Sequence, residues 1–351
     1  MGPNPYSTLF GKEPAENIHR LKEENIIVDS FTAEHPTQQI FMITGVRGSG
    51  KTVFMTDVAK RLKKEKDWIV VELSSEGDIL EKLGSALTAE HTLADIFQRA
   101  GINLSFFGFG LEVKNAAPIT SMEVALGKML ESLQKHGKRL LVAIDEVICT
   151  SEMRAFASAF QLFVRKDLPI FLLMTGLHEN IEELQNEKNL TFLYRAPKVY
   201  LPPLDIRAVS RNYQEKFSLD HEDSVRMAKM TRGYPYAFQT LGYLTWENGK
   251  QLDETVTGKL QQYLEDYVYD IIWQKLSEKD KLVAYGIAKS ETGETGAVRK
   301  VVGMTVNQFN PYRKRLIKKG IVNGDTWGIV RFTLPYFEQF VISMYEGETY
   351  D

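Results

Sequence analysis

Gln39-Ile40-Phe41-Met42-Ile43-Thr44-Gly45-Val46-Arg47-Gly48-Ser49-Gly50-Lys51-Thr52-Val53 is the stretch from which the fold follows. A short apolar run enters a loop rich in glycine, after which Val53, Phe54, Val58, Ala59 and Leu62 take up helical spacing. Glycine at 45, 48 and 50 allows left-handed backbone and close approach. The N–H groups of Gly45, Val46, Arg47, Gly48, Ser49 and Gly50 are therefore expected to converge on one anion, helped by the positive end of the following helix. Lys51 is placed to reach β- and γ-phosphates, the Thr52 hydroxyl to hold Mg2+, and Val53 to complete the cradle. The loop is expected to bind a nucleoside triphosphate, ATP, or its product ADP.

Downstream, strands and helices alternate, which predicts crossover units and a parallel sheet. Strands are read at Trp68–Leu73, Arg139–Val147, Leu168–Thr175 and Val199–Leu201, with Arg139–Val147 the most buried. Helices are read at Lys51–Lys64, Ser75–Thr88, Thr92–Ala100, Ser121–His136 and Ser151–Arg165. Ile102–Val113, with Phe106, Phe107, Gly108, Phe109 and Gly110, reads as a hairpin insertion with a packing role. Ligands of open parallel sheets bind at the carboxyl ends of strands. There Asp145 would anchor the metal through a water, and Glu146 would polarise an attacking water, unless the pair is a solvated turn. Thr175, before Gly176, would orient that water, sense the γ-phosphate or cap a turn. Arg195 is either a surface residue or a finger that stabilises transition-state charge in a neighbouring subunit, which would require self-association.

A chain of 351 residues exceeds what a single core usually serves. Its 43% hydrophobic and 25% charged residues exclude global disorder, and a net charge of -3 confines any nucleic-acid contact to a local patch. One cysteine, Cys149, and an N-terminus without a basic-apolar leader are read as cytoplasmic, and no run is long enough to span a membrane. The predicted divisions are a lead-in at 1–36, with a polar helical stretch around Glu16–Glu24, a nucleotide-binding α/β domain at 37–204, a helical lid at 205–275 and a winged helix-turn-helix at 276–351. The lid helices are read at Ile206–Phe217, His221–Thr231, Tyr236–Asn248 and Val256–Lys275.

Ser277-Glu278-Lys279-Asp280 has the spacing of a helix cap, and Ala297–Val302 and Thr305–Lys319 follow as second and recognition helices. A hairpin over Val322–Thr333 turns at Gly324-Asp325-Thr326-Trp327-Gly328. Val306, Phe309, Leu316 and Ile317 are expected inward, and Pro311 is expected to kink the recognition helix or delay its start to Tyr312. Arg299, Lys300, Arg313, Lys314, Arg315, Lys318 and Lys319 have no acidic residue among them from Ala297 to Gly324. Double-stranded DNA would meet this surface, with Asn307 and Gln308 for base edges and Arg313, Lys314, Arg315 and Lys318 for phosphates; a protein partner is the alternative.

The order of these motifs resembles the AAA+ P-loop ATPases, in particular the origin-recognition-like and STAND-related members with a C-terminal winged helix. The resemblance rests on the loop at Gly45–Thr52, the strand ending in Asp145-Glu146, and Arg232-Gly233-Tyr234-Pro235, similar to the Gly-x-Pro motif that opens a lid helix. Asn4-Pro5-Tyr6-Ser7 and Phe10-Gly11-Lys12-Glu13-Pro14 are similar to the family's lead-in, which packs on adenine. The resemblance implies Pro235 as a nucleotide contact, Thr175 as sensor 1 and Arg195 as the finger. It also implies a sensor arginine in the lid helix, yet none lies between Tyr236 and Asn248, and Arg232 is the nearest substitute. The implied activity is a switch in which ATP binding and hydrolysis move the winged helix; the alternative is a signalling ATPase of low turnover.

Overall fold

A computed structural model describes residues 2–9, 14–105, 108 and 119–350. The chain forms two compact units, one of Arg20–Thr44 with Lys51–Tyr200 and the other of Met1–His19, Gly45–Gly50 and Leu201–Asp351. They are called here the sheet unit and the helical unit. Residues 106, 107 and 109–113 of the expected hairpin insertion and the Phe10–Glu13 part of the lead-in fall outside the described residues.

The sheet unit opens with α1 (Leu21–Thr32), later and longer than the polar stretch predicted near Glu16–Glu24. Its buried residues Glu24, Ile27 and Phe31 share one helical face, and the Phe31 ring packs on Phe41, Trp68 and Phe171. What reads as lead-in is thus a cover for the sheet. The remaining elements are β1 (Ile40–Thr44), α2 (Lys51–Lys63), β2 (Trp68–Ser74), α3 (Ile79–Ala89), α4 (His91–Arg99), α5 (Met122–Lys135), β3 (Arg139–Asp145), α6 (Ser151–Arg165), β4 (Ile170–Gly176), α7 (His178–Gln185) and β5 (Lys198–Tyr200). The helix α3 starts at Ile79 rather than Ser75 because the Asp78 side chain accepts from Glu81 N–H and caps it there.

The five strands run parallel in the order β2-β3-β4-β1-β5, an α/β sheet as the alternation requires. The strands covered at every position are β1 and β4, whereas β3 is half-exposed at Arg139 and Asp145. Lying at the centre of the order, β4 has a strand on each side and helices over both faces. From β3, Leu140, Val142 and Ile144 enter a core with Met129, Leu133, Phe156 and Phe160. This alternation fixes the register, so the side chains at the strand ends are placed to within a residue.

The helical unit contains α8 (Ile206–Phe217), α9 (His221–Met230), α10 (Pro235–Glu247), α11 (Glu254–Leu264), α12 (Asp270–Gln274), α13 (Glu278–Lys289), α14 (Thr295–Val302), α15 (Val306–Lys318), β6 (Val322–Asn323), β7 (Arg331–Phe332) and α16 (Phe337–Tyr350). A π-helical turn, Glu265–Tyr269, joins α11 to α12 where one helix over Val256–Lys275 is predicted. One hydrophobic cluster runs from Tyr6 through Tyr213, Phe238 and Leu241 to Val283, Phe309 and Phe337. The first residues of the chain belong to it: the Tyr6 hydroxyl donates to Asn212 Oδ1 at 2.6 Å, and Asn4 Nδ2 donates to Glu247 Oε1 at 2.8 Å. Among the described residues no helix is long and apolar enough to cross a membrane.

Candidate functional site

Four predicted site residues meet at the carboxyl ends of β3 and β4 in the sheet unit. The Thr52 hydroxyl, in the first turn of α2, donates to Asp145 Oδ2 at 2.7 Å. The Thr175 hydroxyl, from the neighbouring strand, donates to Asp145 Oδ1. The same carboxylate oxygen and the Thr175 hydroxyl each accept from the Glu146 N–H at 3.1 Å. Both oxygens of one carboxylate are therefore held by hydroxyls.

Glu146 adopts φ 49°, the left-handed region that a non-glycine residue enters at a cost of about 1–2 kcal/mol, and such strain gathers at functional sites. Its carbonyl accepts from the Ser75 hydroxyl at 3.1 Å, while its side chain is exposed. Thr175 is fully buried with its hydroxyl occupied. It bonds both the Asp145 carboxylate and the Glu146 N–H. Lys51 opens α2 and is 9% exposed, Val53 is half-buried behind it, and Arg195 is exposed at the end of a 3-10 turn, Thr191–Arg195.

The loop Gly45–Gly50 belongs to the helical unit. Gly48 and Gly50 are left-handed at φ 73° and 82°, whereas Gly45 supplies room for the Ser49 side chain. The Tyr234 hydroxyl donates to Arg47 O at 2.5 Å, the Tyr236 N–H donates to Gly48 O at 3.2 Å, and Ser49 N–H donates to Val46 O at 3.2 Å. Any Cβ at Gly48 would overlap the Tyr234 hydroxyl. Burial pushes the Tyr234 phenol well above the ordinary tyrosine range, so it stays a donor. Pro235 occupies the first turn of α10 as its fixed φ favours, with Tyr234 as N-cap. Arg232, the nearest substitute for a sensor arginine, instead donates to Leu334 O and Glu338 Oε1 at 2.9 Å each and to Phe332 O at 3.3 Å. These partners lie in β7 and just after it, about a hundred residues away, and no local sequence signal announces them.

The helices α13 and α15 each open with a capping box, Ser277 with Asp280 and Thr305 with Gln308. α15 is continuous from Val306 with Pro311 inside it, so the delayed start at Tyr312 does not occur. Gln308 accepts with its side-chain carbonyl from the Thr305 N–H at 2.9 Å and the Thr305 hydroxyl at 3.0 Å, and the residue is exposed. Arg315 pairs with buried Asp280 at 2.9 Å, so this guanidinium is a strut between α13 and α15. Val306, expected inward, is 49% exposed because the first turn of α15 lies beyond the core. Asn307, Lys314 and Lys318 are exposed and Arg313 is half-buried. Trp327 in the hairpin turn is 97% exposed.

A glycine loop leading from a five-stranded parallel α/β sheet, followed by helices and a two-stranded ribbon, is a fold shared with solved structures of archaeal proteins. The chain is similar over 93% of its length to 96% of the Walker-type ATPase PABY2304 of Pyrococcus abyssi, with TM-score 0.60 at 15% identity. It is also similar over 97% of its length to 96% of the Aeropyrum pernix ORC2 protein in its ADPNP–ADP complexes, with TM-score 0.60 at 16% identity. Residues 266–341 match a family model described as a domain of unknown function (DUF8462). No curated protein sequence matches the chain.

Proposed function

We propose that this chain is an ATP-driven switch that binds Mg-ATP at Gly45–Val53, hydrolyses it to ADP and phosphate, and uses the change to control DNA binding by its winged helix. The observation that carries the reading is Asp145, whose two oxygens are both held by hydroxyls, one of them from the phosphate-loop threonine. A hydroxyl and a carboxylate brought within 2.7 Å of each other are hard oxygen donors that fit Mg2+, so Thr52 and Asp145 are the residues that would hold it. Bound there, the ion supplies positive charge to the phosphate oxygens. Lys51 adds a second charge at the β- and γ-phosphates, and the loop N–H groups orient them. Glu146, exposed and held in a strained backbone by Thr175 and Asp145, takes the proton from the attacking water. Arg195, exposed on its 3-10 turn, serves a neighbouring copy as the finger. ADPNP and ADP in the A. pernix ORC2 complexes support adenine nucleotides as the ligands.

The DNA part rests on Asn307, Arg313, Lys314 and Lys318 along α15, with no acidic residue between Ala297 and Gly324. The second reading is a nucleotide-holding module with slow turnover whose winged helix binds protein. It is favoured by the tyrosine contacts on the phosphate loop and by the bare Trp327. An ATPase assay with and without double-stranded DNA separates the two. Turnover that DNA stimulates supports the switch; copurified ADP with negligible, DNA-independent turnover supports the second reading.

A further inference from the structure

Three consecutive residues of the helical unit touch both its phosphate loop and its winged helix. Arg232 and Gly233 are both left-handed, at φ 50° and 72°, and the bend is held by Gly233 N–H on the Thr231 hydroxyl at 3.1 Å and Tyr234 N–H on Thr231 O at 2.8 Å. Leu204 N–H donates to Gly233 O at 2.7 Å, and a Cβ at 233 would run into the Leu204 carbonyl. Only glycine fits this approach. Arginine beside it accepts the left-handed conformation, and the outcome is that Arg232 and Tyr234 reach different partners. Arg232 holds the carbonyls of Phe332 and Leu334 and the carboxylate of Glu338, while Tyr234 holds Arg47 O.

The chemistry of a planar peptide gives the second contact its meaning. Arg47 C=O and Gly48 N–H belong to one peptide unit and point in opposite directions. Fixing the carbonyl with the Tyr234 hydroxyl therefore fixes the direction of Gly48 N–H, one of the donors that the loop offers to phosphate. The next unit is held likewise, its Gly48 carbonyl by Tyr236 N–H.

We propose that Tyr234 is a positioning residue for the phosphate loop and that Arg232-Gly233-Tyr234 transmits the loop's occupancy to the winged helix at Phe332–Glu338. This rests on the reading of Gly45–Val53 as the nucleotide site. When phosphate draws Gly48 N–H, the Arg47–Gly48 peptide turns, and the tyrosine hydroxyl follows or lets go. Two residues back, the guanidinium that clamps the end of β7 moves with the same bend. A competing route exists where Gly320 backs onto Val46, with a Cβ at 320 lying 3.5 Å from Val46 N.

Hydrogen exchange by mass spectrometry on the full chain, with and without Mg-ADP, tests the proposal. In the wild type the nucleotide should slow exchange in segment 45–53 and alter it in segment 331–338. Tyr234→Phe, which removes only the hydroxyl, should weaken ADP affinity about five- to tenfold. At saturating ADP it should regain protection of 45–53 and lose the change in 331–338. Arg232→Ala should lose the same distant change with 45–53 still protected, and Arg232→Lys, which keeps a donor, should restore part of it. A merely structural role for these residues would not separate the two segments. Persistence of the distant change in both variants would assign the coupling to Gly320 and Val46 and overturn the proposal, as would a wild type in which 45–53 is protected and 331–338 never responds. No protection of 45–53 in the wild type would overturn the nucleotide reading together with the proposal.

Discussion

Asp145 in the sheet unit and Asp280 in the helical unit are both held by three or more hydrogen bonds, yet their partners differ in charge. Asp145 is held by two hydroxyls and a backbone N–H, all neutral, and it is half-exposed at a strand end. Asp280 is buried, held by Ser277 and by the Arg315 guanidinium. Neutral partners orient a carboxylate without cancelling its charge, which leaves it able to attract a cation. A guanidinium cancels that charge, and the carboxylate becomes a brace. The charge of the hydrogen-bond partners thus separates the two carboxylates where residue type alone would not.

Removing charge without shape breaks the comparison most sharply. Asp145→Asn keeps an oxygen and the side-chain volume, so thermal stability should change little, while Mg-dependent turnover should fall on the order of a hundredfold or more. A melting curve and a steady-state phosphate-release assay on the same preparation check both halves. Asp280→Asn should do the reverse at its own site and cost about 2 kcal/mol of stability, from a weakened cap and a lost ion pair. Arg315 is nearly half exposed, which keeps this below the cost of a fully buried pair. Urea titration reads the loss directly. The smallest effect concerns the basic face of α15. Lys314→Ala and Lys318→Ala should each lower the slope of log affinity for DNA against log salt by about one with the melting temperature unchanged. Arg315→Ala should lower the melting temperature instead, and equal slopes for all three would erase the distinction between brace and contact.

The sheet unit was legible because its signals are local. An apolar strand, three glycines, Lys51 and Thr52 stand in one stretch, and Asp145-Glu146 follows the five apolar residues Leu140–Ile144, whose register the sheet enforces. The strain at Glu146 and the occupied hydroxyl of Thr175 were not legible, since both depend on residues some thirty positions apart meeting on adjacent strands. The helical unit was legible in outline through its caps and its proline. The spacing Thr305-x-x-Gln308 is itself a capping box, a sign that Gln308 is engaged, and Phe337, Phe340, Val341 and Met344 carry the helical period of α16. Which basic residues face solvent depended instead on Asp280, brought alongside from α13. The partners of Arg232 and Tyr234 lie about a hundred and nearly two hundred positions away, and only the tertiary fold brings them together.

Calorimetric titration of Mg-ATP into the wild type and into Lys51→Ala tests the central claim most directly. The account predicts saturable binding of one nucleotide per chain in the wild type and a loss of at least a hundredfold in affinity in the variant, on the order of 3 kcal/mol. Equal affinity in both proteins would contradict it.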